Sequence, residues 1–202
     1  MYSLLLDSSD IYLCVGLAKD DVLLTPIKYE AWQRQSEYMI QEINNVLEKN
    51  GISLLNINEV IVSCGPGSYT GVRISLTIAK IIGTLDKNIK IYLTSSLEIL
   101  KDPNNLSICL INARSNRSYT AIYKGDECIL KDCILSNDEV LSLIKNKYKD
   151  NISICGDTNY LDLKGKNNNI FINMLNIRKH IDYEHNPENI KAVYLKESYD
   201  KN

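Results

Sequence analysis

Residues 59–85 read EVIVSCGPGSYTGVRISLTIAKIIGTL, a buried strand, a turn punctuated by Gly65, Pro66, Gly67 and Gly71, and then an apolar helix. A strand that passes through a tight turn into a helix makes a layered α/β unit, because each element must bury one face on the other. The turn fails two phosphate-binding patterns. A Walker loop needs Gly-Lys followed by Ser or Thr, but Gly71 is followed by Val72 and Arg73. The dinucleotide pattern begins at Gly65 and Gly67, but Thr70 stands at its last glycine. Gly65 and Gly67 tolerate positive φ, Pro66 fixes the turn, and Ser68 and Thr70 are suited to capping the helix. Two roles stay open here: a turn that launches a helix, or an anion site at Ser68, Thr70 and Gly71 with Arg73 one turn further in.

The helix itself is apolar over more than half its circumference. Val72, Ile74, Leu76, Ile78, Ala79, Ile81, Ile82 and Leu85 leave Arg73, Thr77, Lys80 and Thr84 as a narrow polar stripe. A helix on one sheet needs an apolar stripe of only ~100°, so something else must cover the surplus. Either a neighbouring helix of the chain or a partner would do so. The helix is a candidate interface, with Tyr69, Arg73 and Lys80 flanking its apolar surface and Leu76 at its centre.

The rest of the chain reads as the same order twice. Strands at 3–7, 11–18 and 21–29, a helix at 31–49 and a strand at 59–64 open it. Strands at 106–113, 119–125 and 127–135, a helix at 136–148 and a strand at 152–157 follow. The repetition predicts two related α/β halves, 1–100 and 101–202, with the last segment packing back on the first. KDPNN at 101–105 is expected to be a hinge, and KGKNNN at 164–169 a mobile surface loop. A last helix is expected at 173–183.

Composition narrows the function classes. A net charge of −2 over 202 residues provides no broad basic face for nucleic acid. The opening MYSLLLDSSD has too short an apolar run for a signal peptide, and no run approaches the ~20 residues needed to cross a bilayer. The six cysteines form no C-x-x-C pair. Reduced thiols in a cytoplasmic protein are the expectation.

GPGSYTGVRISLTIAK closely resembles the signature of the TsaB (YeaZ) family. LLLDSS, INARSNRSYTAIY and AVYLKES resemble three further stretches of that family in matching order, so the resemblance spans nearly the whole chain. It implies two tandem domains of the actin, Hsp70 and sugar-kinase type, an α/β, ribonuclease H-like architecture. It also implies a non-catalytic subunit that binds and activates its paralogue TsaD, the enzyme forming threonylcarbamoyladenosine next to the anticodon of tRNA. The ATPase TsaE would complete the complex. ATP would then act only at the level of the complex, and tRNA would be met only through it. Family contacts use the first two helices, here 31–49 and 70–85. The implied partner interface is Trp32, Tyr38, Met39, Tyr69, Val72, Arg73, Leu76, Thr77 and Lys80, a surface that would also serve a homodimer. The chain departs from the family at Gln35-Ser36, Asn112, Asn116-Arg117, Ala192 and Lys196.

Little chemistry is legible beyond this. His180 and His185 are five apart, not one helical turn apart as two metal ligands on a helix would be, so no metal site is predicted. The stretches DSSD and NARSNR contain no glycine through which backbone could approach phosphates. GPGSYTG is not G-x-S-x-G, and no catalytic residue is predicted. Two other readings remain: a small ATP-dependent phosphotransferase using Asp7 and an anion site at Ser68–Gly71, and a self-associating structural protein.

Overall fold

The computed structural model describes residues 1–149 and 151–195; Lys196 and the end of AVYLKES lie outside them. The elements in order are β1 (Tyr2–Asp7), β2 (Tyr12–Lys19), β3 (Val22–Glu30), α1 (Gln35–Lys49), β4 (Ile57–Ser63), α2 (Tyr69–Leu85) and β5 (Lys90–Thr94). They continue with β6 (Leu106–Arg114), β7 (Arg117–Lys124), β8 (Glu127–Ser136), α3 (Asn137–Ser142), β9 (Ser153–Gly156), α4 (Ile170–Ile177) and β10 (Tyr183–Glu184). Among the described residues no helix is long and apolar enough to cross a membrane.

The strands form two sheets, of order β10-β5-β4-β1-β2-β3 and β8-β7-β6-β9. β1, β2 and β3 form an antiparallel meander, and β4 and β5 add in parallel beside β1. Asp20 and Asp21 turn the second hairpin with φ of 49° and 66°, left-handed values suited to a two-residue turn. Alternation then sorts the strand residues between two faces. Leu4, Leu6, Leu13 and Val15 meet Met39, Val46, Val72 and Leu76 beneath α1 and α2. Leu5, Cys14, Ala18 and Ile61 meet Phe171, Met174 and Leu175 of α4 on the opposite face. Gly16 is required there, since a Cβ would lie 2.7 Å from the Phe171 ring.

The second sheet is smaller. Ile108, Leu110 and Ile122 pack under Val140 of α3 and Ile144 of the π-turn that follows it. α3 starts with the cap its sequence announces: Ser136 Oγ accepts from the Glu139 amide, and Glu139 accepts from the Ser136 amide.

Three expectations change. The first helix begins at Gln35, which leaves Trp32 in the preceding turn. The last begins at Ile170, because Asn169 caps it by accepting from the amides of Phe171 and Ile172. The segments expected to be a hinge and a mobile loop are fastened instead. Lys101 and Asp102 are buried, and Asn173 of α4 donates to the carbonyls of Ile99 and Lys101, each at 2.8 Å. Lys166 ion-pairs with Asp102 at 2.7 Å, and its amide donates to Ile154 O at 2.6 Å. The chain after α4 returns to the first sheet: Arg178 pairs with Glu59 and Asp21, and β10 adds beside β5.

Candidate functional site

The glycine turn is shaped by its own surroundings. Gly65 has φ of 107°, and a Cβ there would lie 2.5 Å from Val193 O. A Cβ on Gly67 would lie 2.2 Å from Ser9 O, and one on Gly71 2.0 Å from Ser8 O. The glycines let the turn press against the β1–β2 corner. That corner is itself fixed: Asp7 accepts from Ser63 Oγ and from the Ser9 amide, and Ser8 Oγ donates to Gly71 O at 2.7 Å. Ser68 Oγ accepts from the Gly71 amide, and the Ser68 amide donates to Ser9 O. Of the residues considered for an anion, Ser68 and Gly71 are therefore engaged by this chain, and the nearest oxygens are carbonyls that repel negative charge. Thr70 is exposed.

The structure divides the predicted interface residues. Met39, Val72 and Leu76 are buried in the first core and cannot meet a partner; the surplus apolar surface of α2 on that side is covered by α1 and the sheet. Tyr69, Arg73 and Thr77 are exposed, and Lys80 and Tyr38 are half-buried. Trp32 is exposed in its turn, with the Arg114 guanidinium 5.0 Å from its ring centroid. Ile40 of α1 is also exposed.

One row stands out on α2. Tyr69, Arg73, Thr77, Ile81 and Leu85 recur every four residues, and all are exposed. Such a row forms a ridge of the kind that fits a groove on another helix. Ile81 is 54% and Leu85 70% exposed, so two of the five positions on the ridge are exposed aliphatic side chains. Sequence reasoning placed both on the apolar side but did not see that they are the part left uncovered. At the other end, Tyr194 stacks on Tyr69 with centroids 5.1 Å apart and accepts from Arg73 Nε at 3.0 Å.

Between the sheets lies a cleft of two adjoining hollows, about 180 Å³ and about 560 Å³, which share Ser9, Asp10, Ile111 and Asp157. Trp32, Tyr69, Tyr194 and Arg114 line the outer one. Burial, followed by the Asp157 carboxylate, raises Asp10 to about 7. Gly156, at the end of β9, is not open to a ligand, since a Cβ there would lie 2.2 Å from Leu110 O. Among the described residues no three His, Cys, Asp or Glu groups are placed to hold a metal, and both histidines are exposed.

Residues 29–169 match a family model described as TsaD, tRNA N6-adenosine threonylcarbamoyltransferase. The tRNA threonylcarbamoyladenosine biosynthesis protein TsaB of Buchnera aphidicola subsp. Schizaphis graminum is 30% identical over 157 residues, covering 70% of this chain and 72% of that protein. The chain belongs to the TsaB (YeaZ) family. The protein of the same name from Bacillus subtilis is 27% identical over 147 residues, 70% of this chain and 63% of that one. The fold agrees: YeaZ from Pseudomonas aeruginosa superposes with a TM-score of 0.76 over 96% of this chain and 99% of its own, at 16% identity. Both sheets thus belong to one α/β architecture of the actin, Hsp70 and sugar-kinase type.

Proposed function

We propose that this chain is an accessory subunit for threonylcarbamoyladenosine formation in tRNA, which binds TsaD and supports its activity without catalysing the transfer. Family membership supports the pathway, and the α2 ridge supports the mode of binding. The carrying observation is that a helix buried on its inner side leaves Ile81 and Leu85 uncovered in line with Tyr69 and Arg73. Exposed apolar positions rimmed by polar and aromatic groups mark contact surfaces. TsaE joins the assembly in this reading, and tRNA and ATP are engaged by the complex.

A phosphotransferase fits the cleft poorly. Gly67 and Gly156 are pressed against backbone carbonyls and Gly165 against the Thr158 side chain, and Asp10 and Asp157 would repel a phosphate chain. A homodimer through the same ridge is compatible with the proposal and would compete with TsaD. The test is binding of TsaD from the same genome to the wild type and to the Ile81→Lys and Leu85→Lys variants. Each variant is expected to weaken the complex tenfold or more, ~1.4 kcal/mol, while melting like the wild type. Undiminished binding by both would place the contact elsewhere.

A further inference from the structure

The charged side chains of α2 are all cationic. From Tyr69 to Leu85 the helix carries no Asp or Glu, while Arg73 is exposed and Lys80 half-buried. Arg73 has no carboxylate partner among the described residues, unlike Arg34, which pairs with Glu37, and Arg178, which pairs with Glu59 and Asp21. It is nevertheless held in place. Its guanidinium carbon lies 4.2 Å from the Tyr69 ring centroid, and its Nε donates to Tyr194 Oη at 3.0 Å. Tyr194 stacks on Tyr69 in turn, on a segment whose Val193 amide donates to Cys64 O at 2.7 Å. Two side chains thus fix the plane of one guanidinium, and its Nη groups have no hydrogen-bond partner among the described residues.

We infer that Arg73 receives a carboxylate of the docked TsaD through the two Nη groups of its fork; this rests on the docking proposed above and names the chemistry read there. A planar guanidinium fixed in advance matches the two oxygens of a carboxylate and loses little further rotamer freedom on binding them. α2 offers no anion of its own, so the complementary group comes from the partner. Arg73 lies in line with Ile81 and Leu85, so the same partner covers aliphatic side chains, which suits a protein surface better than a nucleic acid. Tyr194 is then a positioning residue that acts through Arg73.

The experiment titrates TsaD from the same genome into the full chain and its Arg73→Met, Arg73→Lys and Tyr194→Phe variants, by calorimetry at roughly 50 and 500 mM NaCl. Arg73→Met is expected to weaken the complex about tenfold at the lower salt and only about threefold at the higher, because salt screens an exposed ion pair. Arg73→Lys keeps the charge without the fork and should still lose about fivefold at the lower salt. Tyr194→Phe keeps the ring without the hydroxyl and should lose about threefold. Arg73 and Tyr194 are exposed, so every variant should melt like the wild type. The inference is overturned if Arg73→Met binds as tightly as the wild type, if its loss is equal at both salts, or if Arg73→Lys binds undiminished. Failure of the docking reading looks different: the wild type itself then forms no complex with TsaD, and this inference falls with it. If Arg73→Met instead abolishes tRNA binding or self-association of the chain alone and leaves TsaD binding intact, the fork belongs to RNA or to a second copy, which equally overturns the inference.

Discussion

The two halves of this chain begin alike and end differently. Each runs through three antiparallel strands, a helix and a parallel strand: β1 to β4 around α1, and β6 to β9 around α3. The first half then continues into the 17-residue α2 and β5, which complete a sheet covered on both faces. After β9 the second half sends its remaining elements across, so α4 covers the far face of the first sheet and β10 extends its edge. The larger core is thus built with material from the smaller half. The lesson is that the halves are not independent units: Asn173 and Arg178 of the second half are the ties, donating to Ile99 O and to Glu59 of the first.

The largest effects should come from breaking the larger half or its borrowed cover. Leu76→Lys places a charge in the core beneath α2 and should cost about 4 kcal/mol or more, unfolding the chain rather than merely releasing a partner. Circular dichroism would show this directly. Arg178→Met leaves the Glu59 carboxylate buried without its cation and should cost about 3–5 kcal/mol in urea unfolding. Hydrogen exchange in β10 and α4 should quicken first in that variant; uniform quickening across both sheets would contradict the borrowed-cover account.

A smaller effect is expected where the halves are joined. Burial alone would raise Asp102, but hydrogen bonds from Lys166, Asn105, Ser153 and the Asn104 amide outweigh it and hold the group well below its usual range. Its contribution is therefore present above the unfolded value near 4 and lost as pH falls through the lower folded value. Asp102→Ala should cost about 2–3 kcal/mol at pH 7, and the deficit should shrink toward acid pH.

Asp10 has the opposite sign. Its folded value of about 7 lies above 3.8, so the native state holds more protons across that interval and loses stability as pH rises through it. Asp10→Asn should stabilise by about 1–2 kcal/mol at pH 8 and by almost nothing near pH 4, checked by thermal melts at both values.

Much of this architecture was legible because buried strands and cap signals are local. Runs such as EVIVSC and LSICLINA, the Ser136 cap and the glycine turn all appear within a few residues of their expected positions. What the sequence concealed depended on distant neighbours. Val72, Leu76, Ile81 and Leu85 are alike in composition, and only the placement of α1 and the sheet decides that the first two are core and the last two surface. The polar KGKNNN run reads as loop, yet its Asn168 donates to Leu100 O and its Asn169 starts a helix. Asp10 and Asp157 look like turn residues separately; the cleft that joins them exists only once both sheets are in place.

The central claim is that the uncovered ridge of α2 docks TsaD. Size-exclusion chromatography with light scattering, on the chain alone and mixed with TsaD from the same genome, tests it most directly. The account predicts a stable mixed species for the wild type and separate peaks for Leu85→Lys. A wild type that stays unmixed with ATP and TsaE present, or a Leu85→Lys variant that mixes as well as the wild type, would contradict it.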